Sequence, residues 1–347
     1  MKYKVLGKTG LFVSEMCLGT MTFGQSAGRY AAASGVTQKM ADDIIRLGFD
    51  AGINFIDTAN VYAGGQSEEI VGKSIRNLGL ARKDLVISTK MGHATGDGPN
   101  DGGSSRYHIM NQVKESLKRL GTDHIDLYQL HGWDAATPLD ETIRALDDLV
   151  TQGLVRYIGI SNWAAWQIQK ALGKTEQLNT VRFESVQAYY SLAGRDLERE
   201  ILPMLESENL GLMVFSPLAG GYLSGKYRSG ESTGRRATIQ FPPVDEVKGE
   251  PVLAALQEIA TGHNTNMPAI ALAWLLQKRS VTSVILGVKH KAQLEDNLKA
   301  ANVTLSEDDI KKLNDASELT PEYPGWMMGS SAPREHLLST GELTKQY

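Results

Sequence analysis

The sequence predicts an α/β fold: a closed (β/α)8 TIM barrel, capped by an N-terminal β-hairpin and carrying long loops on its C-terminal face. Three observations carry that prediction. Eight short apolar runs recur along the 347 residues, at 15–19, 54–58, 85–90, 125–131, 157–162, 185–188, 212–216 and 283–287. They are near-continuous in apolar residues, as parallel strands covered on both faces are, rather than alternating. Amphipathic stretches of helical period separate them, so strand and helix alternate throughout. A doubly wound open sheet is the rival arrangement of the same elements.

The chain opens with two short apolar runs around Gly7-Lys8-Thr9-Gly10, which reads as a β-hairpin over residues 3–14. Helical stripes follow. Residues 40–51 carry Ile44, Ile45, Leu47 and Phe49; residues 112–120 carry Val113, Leu117 and Leu120; residues 139–152 carry Ile143, Leu146, Leu149 and Val150. Gly52, Gly79, Gly121, Gly153 and Gly211 stand where helices should stop. Three stretches break the rhythm, at 23–36, 92–107 and 218–249. Each follows a strand, which in a barrel puts all three on the face where active sites sit. No linker composition interrupts residues 1–347, which read as one domain with an irregular tail at 321–347.

Composition narrows the function classes. Net charge is −4, with 41% hydrophobic and 22% charged residues, which disfavours a dedicated nucleic-acid binder. Cys17 is the single cysteine, so an intrachain disulfide and a cysteine-rich metal site are both ruled out, and no metal is expected. The N-terminal residues lack an apolar leader, and the most apolar window, 268–276, is too short to cross a bilayer. A cytoplasmic protein without a membrane partner is expected.

Two motifs mislead. Gly7-Lys8-Thr9 imitates the end of a phosphate loop but lacks the upstream glycine. Gly92, Gly96 and Gly98, with Tyr222 and Lys226, imitate a short-chain dehydrogenase. That glycine pattern should open a helix after the first strand; here it follows the third and runs into Pro99.

A stronger constellation lies at the strand ends. Asp57 ends the second run, Lys90 the third and His131 the fourth, with Tyr62 five residues beyond Asp57. In a barrel these ends are neighbours at the mouth. A free phenol, with a pKa near 10, is a poor proton donor at neutral pH, and an adjacent ammonium lowers that value by stabilising the phenolate. Asp57 would hold the ammonium, and His131 would hydrogen-bond a substrate oxygen. A carbonyl that receives hydride on carbon needs a proton on oxygen, and this group can supply it. Each residue also has an ordinary structural role open to it: a cap, a snorkelling lysine, a loop aromatic, a core histidine.

The stretches Gly52-Ile-Asn-Phe-Ile-Asp57-Thr-Ala-Asn-Val-Tyr62, Ile87-Ser-Thr-Lys90, Asp126-Leu-Tyr-Gln-Leu-His131 and Tyr157-Ile-Gly-Ile-Ser-Asn162 resemble the aldo-keto reductases, over about residues 3 to 320. The resemblance extends to the branch of the potassium-channel β-subunits and bacterial general reductases. It implies a catalytic tetrad of Asp57, Tyr62, Lys90 and His131, and an NADPH/NADP+ cofactor extended across the barrel mouth. Carried over position by position, the cofactor contacts are Gly19, Thr20, Met21 and Asp57; Ser161, Asn162 and Gln187 at the carboxamide; and Phe215 under the nicotinamide, where a Tyr is commoner. Ser216, Pro217, Leu218, Gly220, Lys226 and Arg236 match the pyrophosphate loop. Gly287, Lys289, Gln293, Asp296 and Asn297 match the adenosine side, with Lys289 beside the 2′-phosphate. Substrate contacts are expected from Phe23, Tyr30, Tyr62, His131 and Trp133, in an apolar pocket for a small carbonyl or alcohol. The family resemblance leaves a homo-oligomer open. It also offers a second function, a nucleotide-sensing regulatory subunit, whose pattern carries Asn where this chain has His131.

Overall fold

The computed structural model describes residues 1–229 and 235–328, with residues 28–30, 228, 229, 235 and 237 described by backbone alone. Two strands, β1 (Tyr3–Val5) and β2 (Phe12–Ser14), pair antiparallel as the expected hairpin. Eight more close a parallel barrel: β3 (Met16–Gly19), β4 (Phe55–Asp57), β5 (Val86–Met91), β6 (Ile125–Leu130), β7 (Val155–Ser161), β8 (Phe183–Tyr189), β9 (Gly211–Phe215) and β10 (Val281–Gly287). Their order around the barrel is β10-β3-β4-β5-β6-β7-β8-β9. The open doubly wound sheet is thereby excluded.

Strand periodicity divides the core in two. Leu18, Ile56, Ile87, Tyr128, Ile158, Val186, Leu212 and Val284 belong to the main cluster, packed with the surrounding helices. Alternate residues Cys17, Phe55, Val86, Leu127, Met213 and Ile285 form a second cluster with Leu6 and Val13 of the hairpin. The hairpin therefore plugs the barrel floor, and the polar strand ends are left at the other face.

The helices follow local signals. Helix Gln38–Asp50 starts at Thr37, and helix Arg106–Leu120 starts at Ser105 and stops at the left-handed Gly121. The latter begins six residues before the expected 112, because Ile109 extends the buried stripe one turn upstream of Val113. Helix Leu139–Thr151 matches its predicted stripe. The apolar window at 268–276 is helix Met267–Leu276, buried on nearly every side, which explains why it is hydrophobic all round. Among the described residues no helix is long and apolar enough to cross a membrane.

Two compact units are distinguished, Met1–Ser317 and Glu318–Tyr347. The first holds the barrel. In the second, the described residues include the short helix Gly325–Met328, with the Tyr323 and Trp326 rings in contact.

Candidate active site

Backbone register sets the site. Gly19 is paired with Asp57, Asp57 with Ser88, Lys90 with Gln129 and Ser161 with Gln187. The ends of β3 to β8 thus form a continuous rim. Tyr62 hangs over it from the loop after β4, where Ala63, Gly64 and Gly65 all take positive φ before helix Gln66–Asn77 begins.

Lys90 lies at the centre, with 0% of its side chain exposed. Its Nζ donates to Asp57 Oδ2 at 2.6 Å, to the Thr58 carbonyl at 2.7 Å and to Tyr62 Oη at 3.4 Å. Burial would lower the lysine pKa, but the Asp57 carboxylate and then Tyr62 outweigh it and raise the value above the ordinary 10.5. The ammonium is therefore charged at neutral pH and in contact with the phenol. The other oxygen of Asp57 accepts from Gln187 Nε2 at 3.0 Å and from Gln129 Nε2 at 3.3 Å. Gln129 also donates to Ser88 Oγ at 2.6 Å. Below them, Thr20 and Ser67 hydrogen-bond one another at 2.8 Å, and the Thr20 hydroxyl also reaches the Asp57 carbonyl.

His131 approaches from the loop after β6. Its ring meets the Tyr62 ring edge-on at 5.8 Å between centroids, and Asn162 Nδ2 donates to its carbonyl at 3.1 Å. Its Nδ1 is buried without a hydrogen-bond partner among the described residues, although the residue as a whole is partly exposed. Burial, then Lys90, then His93 hold its pKa well below 6.5, so the imidazole is neutral. A neutral imidazole, a phenol and a buried ammonium on one rim can hydrogen-bond an oxygen, protonate it and stabilise the charge it carries.

The structure brings the four tetrad residues together. The remaining expected residues fall into groups. Ser161 is buried and accepts from Asn162 Nδ2, itself a positive-φ residue, while Gln187 is engaged with Asp57. Phe215 ends β9 with the Tyr189 ring 6.0 Å away. The next loop, Ser216-Pro217-Leu218-Ala219-Gly220, has positive φ at Ser216, Ala219 and Gly220, and a Cβ on Gly220 would stand 2.6 Å from the Phe241 carbonyl. Arg236, in the short helix Arg235–Thr238 further along, is buried and donates to the Ala219 and Pro242 carbonyls with its guanidinium over Tyr222, and Lys226 lies over Tyr227. Beyond β10, the Lys289 amide donates to Gln293 Oε1 and its ammonium to the Ala32 carbonyl, so Lys289 ties the segment after β10 to the 23–36 loop. Asp296 pairs with Lys299, and Asn297 is buried.

Of the residues expected to touch a substrate, Trp133 is partly exposed and meets Trp163 at 4.6 Å. Met21 is partly exposed. Phe23, expected in the pocket wall, is 1% exposed and packs in the core, where it anchors the base of its loop against Val36. The side chain of Tyr30 lies outside the described residues. Sequence reasoning missed Gln129, Ser88 and His93. Ser88 had a signal: it stands two residues before Lys90 on β5, hence on the same face, and Gln129 is paired with Lys90 on the neighbouring strand.

A closed barrel with this rim defines a class of oxidoreductases, and the comparisons make it specific. The "Aldo/keto reductase family" model matches residues 15–318, so the chain belongs to that family. It is 38% identical over 336 residues to "Probable voltage-gated potassium channel subunit beta" of Arabidopsis thaliana, covering 93% of this chain and 99% of that one. It is 37% identical over 342 residues to "Uncharacterized oxidoreductase YrpG" of Bacillus subtilis, covering 94% and 100% respectively. It is 34% identical over 336 residues to "Putative aryl-alcohol dehydrogenase C977.14c" of Schizosaccharomyces pombe, covering 90% of this chain and 95% of that one. The short-chain dehydrogenase imitation is thereby set aside.

Proposed function

We propose that this protein is an NADPH-dependent carbonyl reductase that interconverts aldehydes or ketones with alcohols. The observation that carries the reading is the buried Asp57–Lys90 pair in contact with the partly exposed Tyr62, with His131 at its edge.

The residues present suit a nicotinamide dinucleotide phosphate. Gly287 ends β10 with open space where a Cβ would stand, close in sequence to Lys289 and the start of helix Lys291–Leu298. Lys226 and Arg236 supply further positive charge on the loop after β9. Such a cofactor, when bound, supplies the hydride. The chain's own residues do the rest. His131 hydrogen-bonds the carbonyl oxygen and orients it. Tyr62 gives that oxygen its phenolic proton. Lys90 stabilises the phenolate left behind, and Asp57 keeps Lys90 in place, itself held by Gln129 and Gln187. In the alcohol-oxidising direction Tyr62 takes the proton back. A cytoplasmic location belongs to the same reading, supported by the single, buried cysteine.

The test is a Tyr62→Phe variant assayed by NADPH oxidation with 4-nitrobenzaldehyde. Turnover should fall by about 10²-fold or more, with NADPH binding retained by fluorescence titration. Parent-level reduction by the variant would refute the acid assignment. The name of the Arabidopsis relative favours a second reading, a regulatory subunit that senses the nucleotide. It predicts NADPH binding without turnover across a panel of aldehydes, quinones, sugars and ketones.

A further inference from the structure

The rim has a fifth side chain whose chemistry the tetrad does not use. His93 follows Lys90 by three residues, on the loop after β5. Its ring centroid is 4.3 Å from that of His131, at an interplanar angle of 47°. The two loops lie against one another reciprocally. The Met91 carbonyl accepts from the His131 amide at 2.8 Å. A Cβ on Gly92 would stand 3.8 Å from the His131 amide nitrogen, and a Cβ on Gly132 would stand 3.8 Å from His93 Cε1.

His131 needs such support. The terminal torsion of a histidine is broad, and a hydrogen bond to the far ring nitrogen is the usual device that fixes ring and tautomer. Here that nitrogen, Nδ1, is buried and has no partner among the described residues. Packing must set the orientation instead. Tyr62 touches the ring edge-on at 5.8 Å, and His93 is the closer of the two rings. We propose that His93 is a positioning residue: its ring packs on His131 and holds that imidazole in the orientation from which it can hydrogen-bond a substrate oxygen. The inference rests on the carbonyl-reductase reading for its catalytic consequence, but not for the packing itself.

Electrostatics agree with the geometry. The charged group facing His93 from its own strand is Lys90, and the titratable group facing it from the next loop is His131. His93 is an exposed residue, and the partial burial of its ring, then Lys90, lowers its pKa below 6.5, so at neutral pH two uncharged rings lie tilted against one another beside one buried ammonium. A charged His93 would add a second cation to the same rim.

The test uses the full chain with two substitutions, His93→Ala and His93→Phe. NADPH oxidation gives kcat and KM, fluorescence titration gives NADPH affinity, and 15N imidazole NMR of the protein alone gives the His131 ring. In His93→Ala, kcat should fall about tenfold, the scale expected when a reacting group is loosened rather than removed. NADPH affinity should hold, and the His131 ring signals should shift toward a mixture of tautomers. His93→Phe, which restores a ring but cannot titrate, should recover most of the lost kcat and the single His131 form. Parent kcat in His93→Ala, or a His131 spectrum that the substitution leaves unchanged, overturns the proposal. If the parent chain turns over no carbonyl at all, the function reading fails instead, and the His131 spectrum still decides the positioning.

Discussion

At the scale of single residues, the site is an arrangement of charges withheld from water. Lys90 and Asp57 are both buried, so each is tolerated only because of the other and of the donors around them. Asp57→Ala should leave the ammonium uncompensated and cost about 3–5 kcal/mol of stability, read as a lower urea midpoint. The pH dependence follows from the shifts. Lys90 has its folded pKa raised above 10.5, so its contribution is complete below that value and is lost as pH climbs through the raised one. His131 has its folded pKa lowered well below 6.5, so below 6.5 the unfolded chain binds the extra proton. Stability should therefore decline as pH drops beneath 6.5 and recover above it. His131→Gln should flatten that slope in thermal melts at pH 5 to 7.5; an unchanged slope would mean that other groups cause it.

At the scale of elements, helix Gln66–Asn77 links the site to the shell. Ser67 bonds Thr20 at the end of the barrel, and buried Glu68 accepts from Thr89 and Arg119 at 2.6 Å each. Thr89 points out of β5 while Lys90 points in, so one strand is anchored through alternate residues to both layers. The helix can lie this close to its neighbour because of Gly72, where a Cβ would stand 2.2 Å from the Leu120 carbonyl. Gly72→Val should force the helices apart and cost about 1–3 kcal/mol, seen as a lower melting temperature with the tetrad residues intact. A parent-like melt would show that the contact yields without strain. The strands were legible because burial on both faces writes them as apolar runs. The start of helix Arg106–Leu120 was harder to see, although Ser105 and Ile109 both mark it, because Tyr107 falls off the buried stripe and is exposed.

At the scale of the molecule, barrel closure makes β7, β8, β9, β10 and β3 successive neighbours around the ring, so the end of β10 lies beside the end of β3. Lys289, at the β10 side, reaches the Ala32 carbonyl of the loop after β3. If it also meets a 2′-phosphate, NADPH should raise the melting temperature more than NADH at equal concentration, through the linkage of binding to folding. Lys289→Ala should narrow that difference. Equal shifts for the two nucleotides in the parent chain would remove the case for NADPH preference.

The order of the strands, the hairpin beneath them and the four side chains of the tetrad were written in local patterns: apolar runs, helical stripes, and polar residues where each run ends. Those patterns are short-range, so the linear chain carries them without folding. The partners of these side chains are of another kind. Gln129 and Gln187 share one carboxylate oxygen across strands 72 and 130 residues from Asp57, and His93 meets His131 between two loops. Phe23 turns into the core, and Lys289 finds a carbonyl 257 residues away. Only the closed barrel decides these contacts, because they depend on strand register and loop path around a ring, and neither is encoded in the period of any one segment.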